Sequence, residues 1–140
     1  MSFKKIKSFG ELARIDKPIG IYLLLWPSLL GFLLAGTQNI LNIKDFMIVV
    51  IGSIIVRSCG CVINDISDYK IDKLVSRTAG RPLATGALTI LEAWMFFIVL
   101  GLLSILLLLL TNSLTFKIAT LFAFLICISV SYTHLRAHET

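Results

Sequence analysis

The sequence predicts an all-α fold, a polytopic transmembrane helical bundle, and three observations carry that prediction. Of 140 residues, 57% are hydrophobic and only 15% charged, and the mean hydropathy of +0.93 is far from that of an ordinary soluble domain. Four apolar runs reach or approach the roughly 20 helical residues that cross a hydrocarbon core. Lipid cannot satisfy an unpaired backbone, so helices are the default for such runs.

In chain order, Phe3, Ile6, Phe9, Leu12 and Ala13 recur at helical spacing with lysines between them, the pattern of an interfacial helix lying on the inner leaflet. The first span is expected at Ile19–Gly36. It follows lysines and ends in small residues as a signal peptide does, but it exceeds an h-region of about 7–15 residues and further spans follow, so no cleavage is expected. The second span, Phe46–Ile63, encloses Arg57. A polar loop, 64–92, contains the breakers Gly80, Pro82 and Gly86. Thr89 with Glu92 matches a capping box that would start the third span, Ala93–Thr111. The fourth, Thr115–Tyr132, carries Lys117 near its start, where the side chain can reach the interface.

Orientation follows from loop lysines and arginines. The N-terminal segment has Lys4, Lys5, Lys7, Arg14 and Lys17, and the loop after the second span has Lys70, Lys73, Arg77 and Arg81, whereas the opposite side has Lys44 and at most Lys117. Both termini and the Asp-rich loop are therefore expected in the cytoplasm or mitochondrial matrix. The net charge of +5 does not point to nucleic acid, because the basic residues flank spans and form no stripe with stacking aromatics. Anionic headgroups of the lipid bilayer and a phosphorylated ligand suit them better. Cys59, Cys61 and Cys127 fall within spans and read as small buried residues, neither a disulfide framework nor a zinc site.

If the second span continues helically past Ile63, its polar residues segregate. With Asn64 at zero, Arg57 falls near about 20°, Asp68 near about 40°, Cys61 near about 60°, Asp72 near about 80° and Asp65 near about 100°. Lys70 and Lys73 lie round the helix from these, leaving the carboxylates without local partners, with Arg57 roughly 10 Å deeper on the same face. Carboxylates at such spacings can hold a hard divalent cation. Magnesium takes one or two of them and fills its remaining positions with water and phosphate oxygens. Three readings stay open on spacing alone: a metal–phosphate site, a salt-bridged helix end, and an ion-translocation path. Arg77 and Arg81, in the following loop, can fold back over a phosphate or serve as topology signals.

The stretch "NDISDYKID" followed by "SRTAGRPL" resembles the first Asp-rich motif of UbiA-type intramembrane prenyltransferases, and "RIDKPIGIYLLLWP" with "RSCGCVIND" resembles their 4-hydroxybenzoate polyprenyltransferase branch. The resemblance runs from Arg14 to Thr89. It implies about nine spans, four of them present here, round a cavity with two facing Asp-rich motifs. It implies Mg2+-dependent transfer of a polyprenyl group from polyprenyl diphosphate to the ring of 4-hydroxybenzoate in ubiquinone biosynthesis, at a bacterial cytoplasmic (inner) or mitochondrial inner membrane. Asn64, Asp68 and Asp72 would hold magnesium and diphosphate, with Asp65, Asp68 and Asp72 as the catalytic carboxylates. Arg57, Asn64, Arg77 and Arg81 would surround the diphosphate, and Arg14, Asp16 and Lys17 would help bind the aromatic carboxylate.

The chain departs from that pattern. No aspartate follows Asp72, so the second motif is missing, and the only later acids are Glu92 and Glu139. The ending "THLRAHET" turns abruptly polar, and its His134 and His138 have no further ligand for a metal. These features lead to the expectation that residues 1–132 are an N-terminal half, inactive by itself, and that residues 133–140 are foreign. Two alternatives stand beside the main reading: a relative with another acceptor (haem, homogentisate or a naphthoate), and a small four-span ion-binding protein or transporter.

Overall fold

The computed structural model describes residues 3–35, 42–122 and 124–125, and every regular element among them is a helix. In chain order these are α1 (Phe3–Leu12), α2 (Ile19–Ala35), α3 (Ile43–Ser67), α4 (Tyr69–Asp72), α5 (Ile90–Leu109) and α6 (Ser113–Phe122). The chain divides into two compact units, residues 1–107 and 108–140. In the second, Asn112 caps α6, its side-chain oxygen accepting from the Thr115 backbone N–H at 2.8 Å.

α3 and α5 are long and apolar enough to cross a membrane, while α2 and α6 are shorter apolar helices. The first three expected spans fall on α2, α3 and α5 with ends shifted by a few residues. α6 lies within the fourth, whose remainder, with Cys127, His134, His138 and the whole 133–140 segment, is outside the described residues. Leucines point outward all round these helices, Leu23, Leu34 and Leu102 among them. Such a surface suits lipid.

α2 and α3 run antiparallel. Phe32, late in α2, meets Phe46, early in α3, with ring centroids 6.1 Å apart, and Gly20, early in α2, lies against Arg57, late in α3. Asn42 starts α3 by accepting the Lys44 N–H through its side chain at 3.1 Å. Within α2, Pro27 has no N–H to offer the Leu23 carbonyl, and the Ser28 hydroxyl bonds the neighbouring Leu24 carbonyl at 2.8 Å.

The apolar core gathers where α1, α3, α5 and the loop between α4 and α5 converge. Leu12, Val62, Leu83, Leu88 and Ala93 are buried there, with Phe9 tilted against Phe96 at 5.0 Å between centroids. Two of these, Leu83 and Leu88, come from the polar loop itself, so "RPLATGAL" is pinned to the helices by its leucines. Gly86, at φ 78°, supplies the left-handed turn between them. The expected capping box forms: the Thr89 N–H donates to Glu92 Oε2 at 3.0 Å and the Glu92 N–H donates to Thr89 Oγ1 at 3.2 Å. Lys5 of α1 pairs with the same Glu92, tying the amphipathic helix to the start of α5.

Candidate functional site

The polar residues of the Asp-rich stretch are positioned by a break in the helix. α3 ends at Ser67, and Asp68 takes φ −87° and ψ 0° while its N–H still donates to the Asn64 carbonyl at 2.9 Å. One further turn, α4, then carries Asp72. Helical phasing put Asn64, Arg57 and every acid on one face, and the structure divides that set. Asp65 is 1% exposed and Asp72 6%, whereas Asn64 and Asp68 face outward.

Buried carboxylates are costly unless paired. Here the partners come from far along the chain. Arg14 Nη2 donates to Asp65 Oδ1 at 2.9 Å, and Arg81 Nη1 lies 3.1 Å from the same oxygen and 2.6 Å from Asp72 Oδ2. The acids thus lack partners on their own helix, as expected, but they are not left unpaired. Lys70 and Lys73 do point elsewhere, Lys73 onto the Tyr69 ring and hydroxyl, but residues 51 and 9 positions away supply the counter-charge. Arg57 instead packs on α2: a Cβ added at Gly20 would sit 2.7 Å from its Nη2 and 2.8 Å from its Nε. Among the described residues Arg57 makes no ion pair.

Arg14 reaches Asp65 because of how α1 ends. The Ile15 N–H donates to the Gly10 carbonyl at 3.0 Å and the Arg14 N–H to the Glu11 carbonyl at 3.1 Å, the pair of bonds of a Schellman motif. That motif puts its C′ residue in the left-handed region, and Arg14 sits there at φ 55°, in a place that glycine favours. Burial pulls the guanidinium pKa down, but the hydrogen bond and charge of Asp65 outweigh it, and the Arg14 pKa is raised.

Arg81 is held by its loop. Thr85 donates to the Arg81 carbonyl through its N–H at 2.9 Å and its hydroxyl at 3.2 Å, and the buried Leu83 follows two residues on. The buried Thr78 hydroxyl clasps the Asp72 carbonyl at 3.1 Å, fixing the end of α4. Sequence reasoning did not single out Thr78 or Thr85. Their signal is a Ser/Thr–backbone turn inside a Gly/Pro-rich loop.

Above the cluster opens a pocket of about 570 Å³ whose walls include Arg14, Asp16, Lys17, Asp65, Arg77 and Arg81. The residues expected at the aromatic carboxylate, Arg14, Asp16 and Lys17, thus share one pocket with two of the expected diphosphate arginines. Arg57, Asn64, Asp68 and Asp72 are not among its lining residues. Four cationic side chains, Arg14, Lys17, Arg77 and Arg81, share this wall with Glu11, Asp16 and Asp65, and the guanidinium groups suit a phosphorylated or carboxylated ligand. For a metal, the donors are hard oxygens. Asp65 and Asp72 offer carboxylate oxygens, of which magnesium takes one or two, and among the described residues no three His, Cys, Asp or Glu side chains come together. Buried Cys61 and half-buried Cys59 are free thiols in the span.

The UbiA prenyltransferase family profile matches residues 24–139. Curated relatives include a 4-hydroxybenzoate octaprenyltransferase of Shewanella loihica, 44% identical over 82% of this chain and 40% of the relative. One of Pseudomonas aeruginosa (strain UCBPP-PA14) is 50% identical over 76% of this chain and 36% of its own length. One of Vibrio vulnificus is 41% identical over 96% of this chain and 48% of its own. The chain thus spans less than half the length of these relatives. No solved structure matches it. With its profile match reaching from Leu24 through the Asp-rich stretch to Glu139, the chain belongs to the UbiA prenyltransferase family.

Proposed function

We propose that this chain contributes the donor-diphosphate side of a membrane-embedded prenyltransferase that moves a polyprenyl group from polyprenyl diphosphate to the ring of 4-hydroxybenzoate in ubiquinone biosynthesis. The observation that carries this reading is the Arg14–Asp65–Arg81–Asp72 cluster at a polar pocket that Lys17 and Arg77 also line, in a chain 41–50% identical to proteins named 4-hydroxybenzoate octaprenyltransferase. The protein is an integral membrane protein in this reading, sited in the bacterial cytoplasmic membrane. The lysines of α1 and the arginines of the α4–α5 loop support a cytoplasmic position for both.

In this scheme Arg77 and Arg81 bind the oxygens of the departing diphosphate, where negative charge grows as the allylic C–O bond ionises. Asp65, Asp68 and Asp72, with Asn64, are the residues that would hold Mg2+, which when bound supplies further charge neutralisation at those oxygens. Arg14 and Lys17 orient the aromatic carboxylate beside Asp16, and the ring carbon ortho to the phenol hydroxyl attacks the allylic centre and then loses its proton. Exclusion of water would protect the cation-like centre, and the outward-facing leucines of α2 and α5 suit a prenyl tail that stays in lipid.

Retention of labelled polyprenyl diphosphate by the chain in lipid nanodiscs, with and without Mg2+, tests this. Mg2+-dependent retention that falls at least tenfold in Asp72→Ala is expected. Retention indifferent to both Mg2+ and Asp72 would sink the proposal.

A further inference from the structure

Arg81 Nη1 touches both buried acids at once, 3.1 Å from Asp65 and 2.6 Å from Asp72, while Arg14 holds the same Asp65 oxygen at 2.9 Å. Two carboxylates and two guanidinium groups sum to zero charge, in a place where Asp65 and Asp72 are almost fully covered. A divalent cation arriving alone has to take carboxylate oxygens from Arg81 and leaves its own charge uncompensated in a poorly solvated cluster. A diphosphate arriving alone draws Arg81 away, leaving buried Asp72 bare and Asp65 with Arg14 alone, beside a polyanion. When both arrive together, the cation takes the carboxylates, the diphosphate takes the guanidinium, and the charge stays close to balance.

We propose that Arg81 is an internal stand-in for the metal, a shared counter-ion that closes Asp65 and Asp72 to a lone divalent cation and passes to the diphosphate when cation and diphosphate bind together. This rests on the diphosphate reading above and adds a coupling between its two ligands. The local structure is built for such an exchange. The Arg81 backbone is fixed by Thr85 and by buried Leu83, so only the side chain needs to swing toward the pocket it already lines. Lys17 and Arg77 face the same pocket and pair with no carboxylate among the described residues, so they are placed to receive the diphosphate first.

The test separates charge removal from general damage through the opposite signs of two measurements on the chain in lipid nanodiscs. Mn2+ binding without any phosphate is read by electron paramagnetic resonance, and retention of labelled inorganic pyrophosphate is read at saturating Mn2+. Arg81→Gln is expected to tighten Mn2+ alone about tenfold and to weaken pyrophosphate retention about tenfold, within the range usual for coupled sites. Arg81→Lys, which keeps the charge, is expected to bind Mn2+ alone within about threefold of the parent chain, since a lysine ammonium can still occupy the acids. If the parent chain retains Mn2+–pyrophosphate but Arg81→Gln leaves Mn2+ binding unchanged or weaker, or if Arg81→Lys tightens it as Gln does, the stand-in role is overturned while the site survives. If the parent chain retains neither ligand, the diphosphate reading fails, and this inference fails with it.

Discussion

The left-handed backbone at Arg14 gives a prediction in which two opposing effects can be separated. Arg14→Ala and Arg14→Gly both delete the 2.9 Å bond to Asp65. A hydrogen bond to a charged group contributes about 1.5–3 kcal/mol. The loss here belongs at the low end, about 1.5 kcal/mol by that scale, because Asp65 keeps Arg81 at 3.1 Å. The backbone term distinguishes the variants. At φ 55° an alanine retains the steric penalty of about 1–2 kcal/mol that arginine already bears, while glycine escapes it. Part of that gain is offset by the extra freedom of glycine in the unfolded chain, about 0.4–1 kcal/mol. Arg14→Gly is therefore expected to be about 1 kcal/mol more stable than Arg14→Ala, a shift of about 4 °C in thermal midpoint for a chain of this size. Thermal unfolding in detergent micelles, followed by the fluorescence of Trp26 and Trp94, measures it. A glycine variant no more stable than the alanine variant refutes the assignment of a Schellman ending with Arg14 at C′. Two variants as stable as the parent refute the energetic worth of the Asp65 pair.

The remaining predictions concern what holds the site. Leu83→Ala, removing a buried anchor of the α4–α5 loop, is expected to cost about 2–5 kcal/mol in the same unfolding assay. It should also raise exchange of the Arg81 and Thr85 amides in hydrogen–deuterium exchange, because the loop that aims Arg81 loses its staple. Gly20→Ala would put a Cβ 2.7 Å from the Arg57 guanidinium, the flexible end of its side chain, so Arg57 is expected to swing aside at a cost of no more than about 1 kcal/mol. In an Arg57→Ala background the same change should cost less than about 0.5 kcal/mol, and an equal cost in both backgrounds would show that something other than Arg57 fills that space. Thr78→Val, which keeps the shape and deletes the hydroxyl bond to the Asp72 carbonyl, is expected to lose about 1–3 kcal/mol by leaving that buried carbonyl short of a partner.

Much of the helical layout was legible because it depends on local composition and period. The first three apolar runs, the amphipathic α1, the breakers before α5 and the Thr89–Glu92 box all rest on residues within a few positions of one another, and each appears in the structure. Phasing also put Asp65 and Asp72 on one side of α3 and its continuation. It could not show the turn at Asp68, since ψ 0° there follows from how α4 and its loop are tied down by Thr78 and Leu83. Nor could it pair the acids. The Arg14–Asp65 contact joins residues 51 positions apart through a non-glycine left-handed turn, which local propensity disfavours.

The same comparison explains why an acidic face at the end of an apolar helix is tolerable at all. Read as a helix wheel, it was a row of unpaired charges, which lipid would penalise severely. In the folded chain it separates into two parts with different solutions. Asn64 and Asp68 stay exposed and need no partner from the protein, while Asp65 and Asp72 are covered and balanced by arginines drawn from either side of the Asp-rich helix. Stability requires that balance only as long as nothing else brings charge to the pocket. A ligand that carries a cation and a polyanion together can replace both halves of the balance at once, so the feature that makes the fold tolerable without ligand also selects what the pocket can accept.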